Sequence, residues 1–165
     1  MSFVKVCLGK YDNTDALEKE FHYCAQKCEY WSGYGIRTDS IAHAIFDMIQ
    51  IKKLAEKEDG KQLYHMVISI WRYYEKPVYK NKAVTEDACC DLIGNDISQI
   101  LYNIGYQNAY FKHNNNGNRH LHFIINSVNF ITGNKLSGVK SICSQTTKYL
   151  QREYPFLQWE GPYYV

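Results

Sequence analysis

Three of the chain's six histidines lie in one short segment, His113-Asn-Asn-Asn-Gly-Asn-Arg-His120-Leu-His122-Phe-Ile-Ile-Asn126. If Arg119 to Val128 is a strand, His120, His122, Ile124 and Asn126 share one face, and Leu121, Phe123 and Ile125 take the other. His113 sits across a polar turn, near enough to add a third imidazole. Three imidazoles on a hairpin make a facial metal site with positions left open for substrate and water. Neutral imidazole is a common ligand of first-row divalent ions. A lone histidine is ordinarily structural, and an H-x-H pair is a weak motif. The third histidine and the segregation of faces favour a metal site. His65, in Tyr64 to Ile70, shares a face with Val67 and Ser69. If that strand lies beside the hairpin, His65 and Ser69 border the same site, as outer supports or substrate-contacting groups alongside Asn126 and Asn115. His43 lies on a helical pattern without a partner and reads as structural.

These residues need elements to hold them. Phe3 to Leu8 alternates and reads as a strand. Asn13-Thr14-Asp15 offers caps for a helix from Ala16 to about Lys27, and Trp31 to Gly35, with two glycines, reads as loop. Asp39 or Ser40 can cap a second helix to about Lys57, with Ile41, Ala44, Ile45, Met48 and Ile49 on its apolar face. Gln62 to Trp71 is β-rich, and Arg72 to Ala83, with Pro77 and no period, reads as loop. A third helix runs from Thr85 to about Ile104, closed by Gly105. Strands at Tyr106–Lys112 and Arg119–Val128 flank the turn Asn114–Asn118 and must pair antiparallel. Val139 to Glu153 is a last helix, stopped by Pro155. The order β-α-α-β-α-β-β-α implies an α+β domain: an antiparallel sheet with helices packed on one face and the metal site on the other. No repeat or linker divides it, so residues 1–165 read as a single domain.

The 165 residues can bury a sizeable core, and no apolar run reaches the ~20 residues of a membrane span. The first residues lack the basic and apolar regions of a signal peptide. The six cysteines (Cys7, Cys24, Cys28, Cys89, Cys90, Cys143) read as reduced thiols of a cytoplasmic protein rather than a disulfide framework. Cys24 and Cys28 have no second pair with which to build a zinc site. A net charge of +2 is weak for a dedicated duplex binder. The 15 tyrosines and 3 tryptophans are ordinarily core or surface filler, yet could stack unpaired bases.

Three stretches carry a family resemblance: His113 to Leu136, ending HLHFIINSVNFITGNKL; YHMVISI at Tyr64 to Ile70; and Leu17-Glu-Lys-Glu-Phe-His-Tyr23. From about Leu17 to Tyr154 the chain resembles the relaxase, or mobilisation nuclease, domain of plasmids and integrative conjugative elements, within the histidine-hydrophobic-histidine endonucleases. The resemblance implies a metal-dependent enzyme that binds single-stranded DNA at an origin of transfer. A tyrosine, here Tyr23, attacks a phosphodiester reversibly to leave a 5′-phosphotyrosine and a free 3′-hydroxyl. It also implies His113, His120 and His122 as ligands of Mg²⁺ or Mn²⁺, with accessory DNA-binding proteins as further partners and no membrane. Arg72, Lys112 and Arg119 are candidate phosphate contacts by position. The chain departs from the family where an acidic residue often lies two positions after the first histidine; Asn115 stands there and can neither act as a base nor hold a histidine through charge. His22 competes with Tyr23 as nucleophile. Two other readings stay open: a replication-initiator or transposase-type nickase using Tyr149 on the last helix, and a catalytically silent DNA-binding truncated relaxase.

Overall fold

A computed structural model describes residues 1–71, 78–79, 82–83 and 85–165. Their elements in chain order are β1 (Ser2–Cys7), α1 (Ala16–Ala25), β2 (Tyr30–Tyr34), α2 (Ile41–Leu54), β3 (Leu63–Ile70), β4 (Val78–Tyr79), β5 (Lys82–Ala83), α3 (Glu86–Asn103), β6 (Asn108–Asn115), β7 (Asn118–Asn126), α4 (Val139–Glu153), a 3₁₀ turn (Pro155–Leu157) and β8 (Trp159–Tyr164). Among these, no helix is long and apolar enough to cross a membrane.

Six strands form one sheet in the order β2-β6-β7-β3-β1-β8, and β4 and β5 pair separately within the stretch read as loop. Every pairing in the large sheet is antiparallel except β1 with β8. The mixed α+β class and the antiparallel hairpin are those the sequence implies. Period-2 alternation sorts the strands into two cores. Val4, Val6, Met66, Ile68, Leu121, Phe123 and Ile125 pack with Ile93, Ile97 and Leu101 of α3 and Ile142 and Leu150 of α4. The opposite face, which carries the histidines, is not bare. Phe111, Ala109, Leu63 and Ile124 there meet Leu17, Phe21 and Cys24 of α1 and Ala44 and Met48 of α2. α3 and α4 pack on the face away from the histidines, and α1 and α2 cover part of the histidine face.

Two local devices fix the hairpin. Asn116 and Gly117 both have positive φ, 53° and 85°. That is the Asn-Gly signature of a two-residue type I′ turn, whose twist matches antiparallel strands. It sets His113 opposite His120 and Phe111 opposite His122. The site then sits at the turn end of the sheet, where α1 leaves it partly open.

Besides β4 and β5, two strands of the large sheet lie where the sequence pattern does not announce them. β2 occupies the stretch Trp31 to Gly35 that reads as loop. Its glycine is required: a Cβ on Gly33 would lie 2.3 Å from the Asn108 carbonyl oxygen of β6. β8, beyond Pro155, adds to β1 in parallel. The caps of α2 and α3 follow the sequence signals, with Ser40 accepting from the His43 amide and Thr85 from the Ala88 amide, both at 3.1 Å, whereas Asp15 at the start of α1 makes no side-chain cap bond. His43 pairs with Asp39 at 2.7 Å, a cap-side contact in keeping with a structural role.

Candidate metal and nucleophile site

The geometry starts from register. His113 and His120 are cross-strand partners, and His122 is next but one along β7 on the same face. The three ring centroids lie 5.2, 4.8 and 5.0 Å apart, and one ligand nitrogen from each falls within 4.8 Å of the others. Each ring has one nitrogen already engaged. His113 Nε2 donates to the Cys24 carbonyl at 2.6 Å, and His120 Nδ1 to the Asn118 carbonyl at 3.2 Å. His122 Nδ1 and His65 Nε2 are hydrogen-bonded at 2.7 Å, and with the proton on Nδ1 the Nε2 of His122 is left to ligate. Fixing one nitrogen leaves the other to turn toward a common point, which is how metal-bound imidazoles are oriented by their outer partners. Burial pushes His120 and His122 toward the neutral form, His122 further because His65, His120 and His113 crowd it with charge. Neutral rings are the ligating state, so the donor set fits a divalent ion.

His65 anchors the surroundings of the triad. Its Nδ1 faces the Glu20 carboxylate at 2.9 Å, with the Tyr11 hydroxyl at 3.4 Å. Burial works against its charged form, while contacts from Cys24, Cys7 and Glu20 raise its pKa. A line runs from Glu20 through His65 to His122. Glu20 and Cys24 escape the sequence reading. They lie four apart on α1 and so share the helix face that also buries Phe21 and Leu17. That face is the available signal, because it points both residues at the sheet.

Tyr23 follows on α1. Its side chain is exposed, yet its ring stands edge-on to His122 at 6.1 Å between centroids. The neighbouring His22 leans along the helix toward Glu18, 3.9 Å away. A helix turns about 100° per residue, so the two cannot face the site together, and Tyr23 is the one beside it.

The sequence model of the relaxase family, MobA/VirD2-like nuclease domain, matches residues 17–154. The chain belongs to this family. It is also 30% identical to Protein rlx of Staphylococcus aureus over 131 residues, which are 79% of this chain and 37% of that protein. The chain thus spans little more than a third of that curated relative's length. No solved structure matches it.

Other expected residues of this relaxase domain fall elsewhere. Asn126 is fully buried away from the triad, its amide donating to the Met48 carbonyl at 3.0 Å and to Gln107 at 2.8 Å; it ties α2 to the sheet. Ser69 is paired across from His120 and borders the site, and Asn115 sits exposed at the hairpin end. Lys112 and Arg119 lie on the opposite sheet face. Lys112 pairs with Asp91 at 2.7 Å and Asp87 at 3.0 Å, and Arg119 with Asp87 at 3.1 Å and Glu86 at 3.4 Å. Position near the histidines in sequence misleads here, because strand alternation sends both to α3. Arg72 lies outside the described residues. Tyr149 is on α4, across the sheet from the histidines, with its hydroxyl donating to Asp96 at 3.2 Å. That placement removes the geometric basis for a nickase using Tyr149. Lys5 carries no signal in the sequence. It pairs in register with Val67 on the histidine face, and its charge is felt at His120 and His122.

Proposed function

We propose that residues 1–165 act as one nuclease domain that nicks and rejoins single-stranded DNA at an origin of transfer through a 5′-phosphotyrosine on Tyr23. The observation that carries this reading is the meeting of the three-imidazole cluster with the exposed ring of Tyr23 at His122. His113, His120 and His122 would hold a divalent ion, Mg²⁺ or Mn²⁺, which would supply positive charge near the phosphate as negative charge builds there. The Tyr23 hydroxyl attacks phosphorus, its proton passing to water at this exposed position. The bond from phosphorus to the 3′ oxygen breaks, and that oxygen takes up a proton as the free 3′-hydroxyl. Attack by that hydroxyl on the phosphotyrosine reverses the step and restores the tyrosine.

The substrate must lie along the open rim. Lys5 is the basic group on this face that best suits a phosphate, with the Ser69 hydroxyl nearby. Trp71, directly after β3, is exposed and offers a stacking surface for an unpaired base. A neutral Asn115 at the hairpin end leaves the metal ligands without the acidic neighbour common in the family. Accessory DNA-binding proteins are a further partner class. The six thiols, all free, suit a cytoplasmic setting.

The test is incubation of the protein with Mn²⁺ or Mg²⁺ and a panel of single-stranded origin oligonucleotides, followed by a denaturing gel. The expected outcome is a protein–DNA adduct and a released 3′-hydroxyl fragment, abolished by chelator and by His120→Ala. Tight binding without cleavage under every metal condition would instead assign the silent DNA-binding reading.

A further inference from the structure

Behind the triad lies a second group of ligating atoms, which shares His122 with it. The Cys24 sulfur, one nitrogen of His65 and one of His122 fall within 4.8 Å of one another. They come from three different elements, α1, β3 and β7, and all three residues are buried, at 0%, 4% and 8% exposure. Glu20 adds a carboxylate 2.9 Å from His65 Nδ1 and 3.9 Å from the Cys24 sulfur. The triad uses Cys24 only through its backbone carbonyl, which accepts from His113.

We propose that Cys24, His65 and His122 form a second metal site for a thiophilic divalent ion such as Zn²⁺, set directly behind the triad and sharing His122 with it, with Glu20 bracing His65 from its other ring nitrogen. One sulfur and two imidazoles are ligands that zinc accepts, and a carboxylate on the far nitrogen of a ligating imidazole is the usual outer support. The thiolate discriminates against Mg²⁺ and Mn²⁺, which favour oxygen ligands. Little has to move. His65 Nε2 and His122 Nδ1 are 2.7 Å apart, and two nitrogens on one tetrahedral zinc stand about 3.3 Å apart given Zn–N bonds of about 2.0 Å. Binding breaks that hydrogen bond and forms Zn–S and Zn–N bonds in its place. The Cys24 thiol proton and the proton shared by the two imidazoles leave to solvent. No electron is transferred.

The shared ligand couples the two sites. His122 presents Nδ1 to the inner group and Nε2 to the triad, and it must lose both ring protons to serve two ions at once. Occupation of the inner site therefore weakens the outer one, and Zn²⁺ held by Cys24 acts as a brake on the triad. The inner site itself does not depend on the nickase reading; only the braking does.

Cobalt(II) titration followed by absorption spectroscopy tests this, because a cobalt–thiolate bond gives an intense near-ultraviolet charge-transfer band. The band is expected with the wild-type protein and with His120→Ala, which removes a ligand of the triad alone. It should vanish in Cys24→Ser and Cys24→Ala and be chased by Zn²⁺. The serine variant keeps the side-chain size, and circular dichroism confirms that it is folded. A wild-type protein without the band, or a band that survives both Cys24 variants, overturns the proposal. A wild type that binds no Mn²⁺ would sink the triad reading while leaving the cobalt result standing.

Discussion

The line from Glu20 through His65 to His122 is where single atoms matter most. Removing an outer partner of a metal-bound imidazole typically costs about 10–100-fold in metal affinity or activity. Glu20→Gln keeps the shape but removes the charge that faces His65 Nδ1 at 2.9 Å. We expect Mn²⁺ affinity to fall within that range, with the fold unchanged, when measured by isothermal titration; an unchanged affinity would mean the His65 contact does not orient His122. The triad is legible in the sequence because strand alternation alone separates His120 and His122 from Leu121 and Phe123. Glu20 is not legible, because its partner is more than forty residues away and only the docking of α1 joins them. Lys112 and Arg119 show the converse. Their closeness in sequence suggests shared chemistry, and the same alternation that assembles the histidines sends them to the far face.

At the level of elements, periodic helices and the central hairpin are readable, while β2 and β8 are not. β2 is an edge strand with a glycine that lets its backbone approach Asn108, so its strand character comes from its neighbour rather than from its own side chains. β8 follows a Pro155 that ends α4, and its partner β1 is at the other end of the chain. The docking of α2 carries a pH-dependent feature. Lys52 of α2 is buried, its ammonium donating to the Gln62 carbonyl at 2.5 Å and to the Gln62 side chain at 3.1 Å. Burial, with the nearby charge of Lys135, pushes its pKa down to about 8 from an unfolded value of 10.5. A lowered amine pKa means the unfolded chain binds more protons between those values, so stability rises with pH across that window. Thermal or urea melts from pH 7.5 to 10.5 should show a gain on the order of 1–3 kcal/mol, absent in Lys52→Met. A flat or falling profile for the wild type would show that the ammonium is fully compensated by Gln62.

For the whole molecule, a net charge of +2 supplies little general attraction for nucleic acid, so binding must come from local groups on the histidine face. Neutralising a side chain that holds one phosphate of a single strand lowers the log–log slope of affinity against salt by about 0.7. Lys5→Gln is expected to produce a reduction of that size, with a weaker affinity for every sequence tested. Lys112→Gln should leave the slope unchanged, because its charge is already taken up by Asp87 and Asp91 on the other face. Fluorescence anisotropy with a labelled single strand at several salt concentrations measures both; a larger reduction in the Lys112 variant would move the DNA path to the α3 side.

Tyr23 is the side chain proposed to carry the DNA. The most direct measurement is mass spectrometry of the adduct after trypsin digestion. Cleavage after Lys19 and Lys27 releases Glu20–Lys27, a peptide whose one tyrosine is Tyr23 and which also holds His22. The expected result is a nucleotide mass on that peptide, fragmenting to a phosphotyrosine at Tyr23, and no adduct at all from Tyr23→Phe. A modification on His22, or on the peptide that holds Tyr149, with an adduct that persists in Tyr23→Phe, would contradict it.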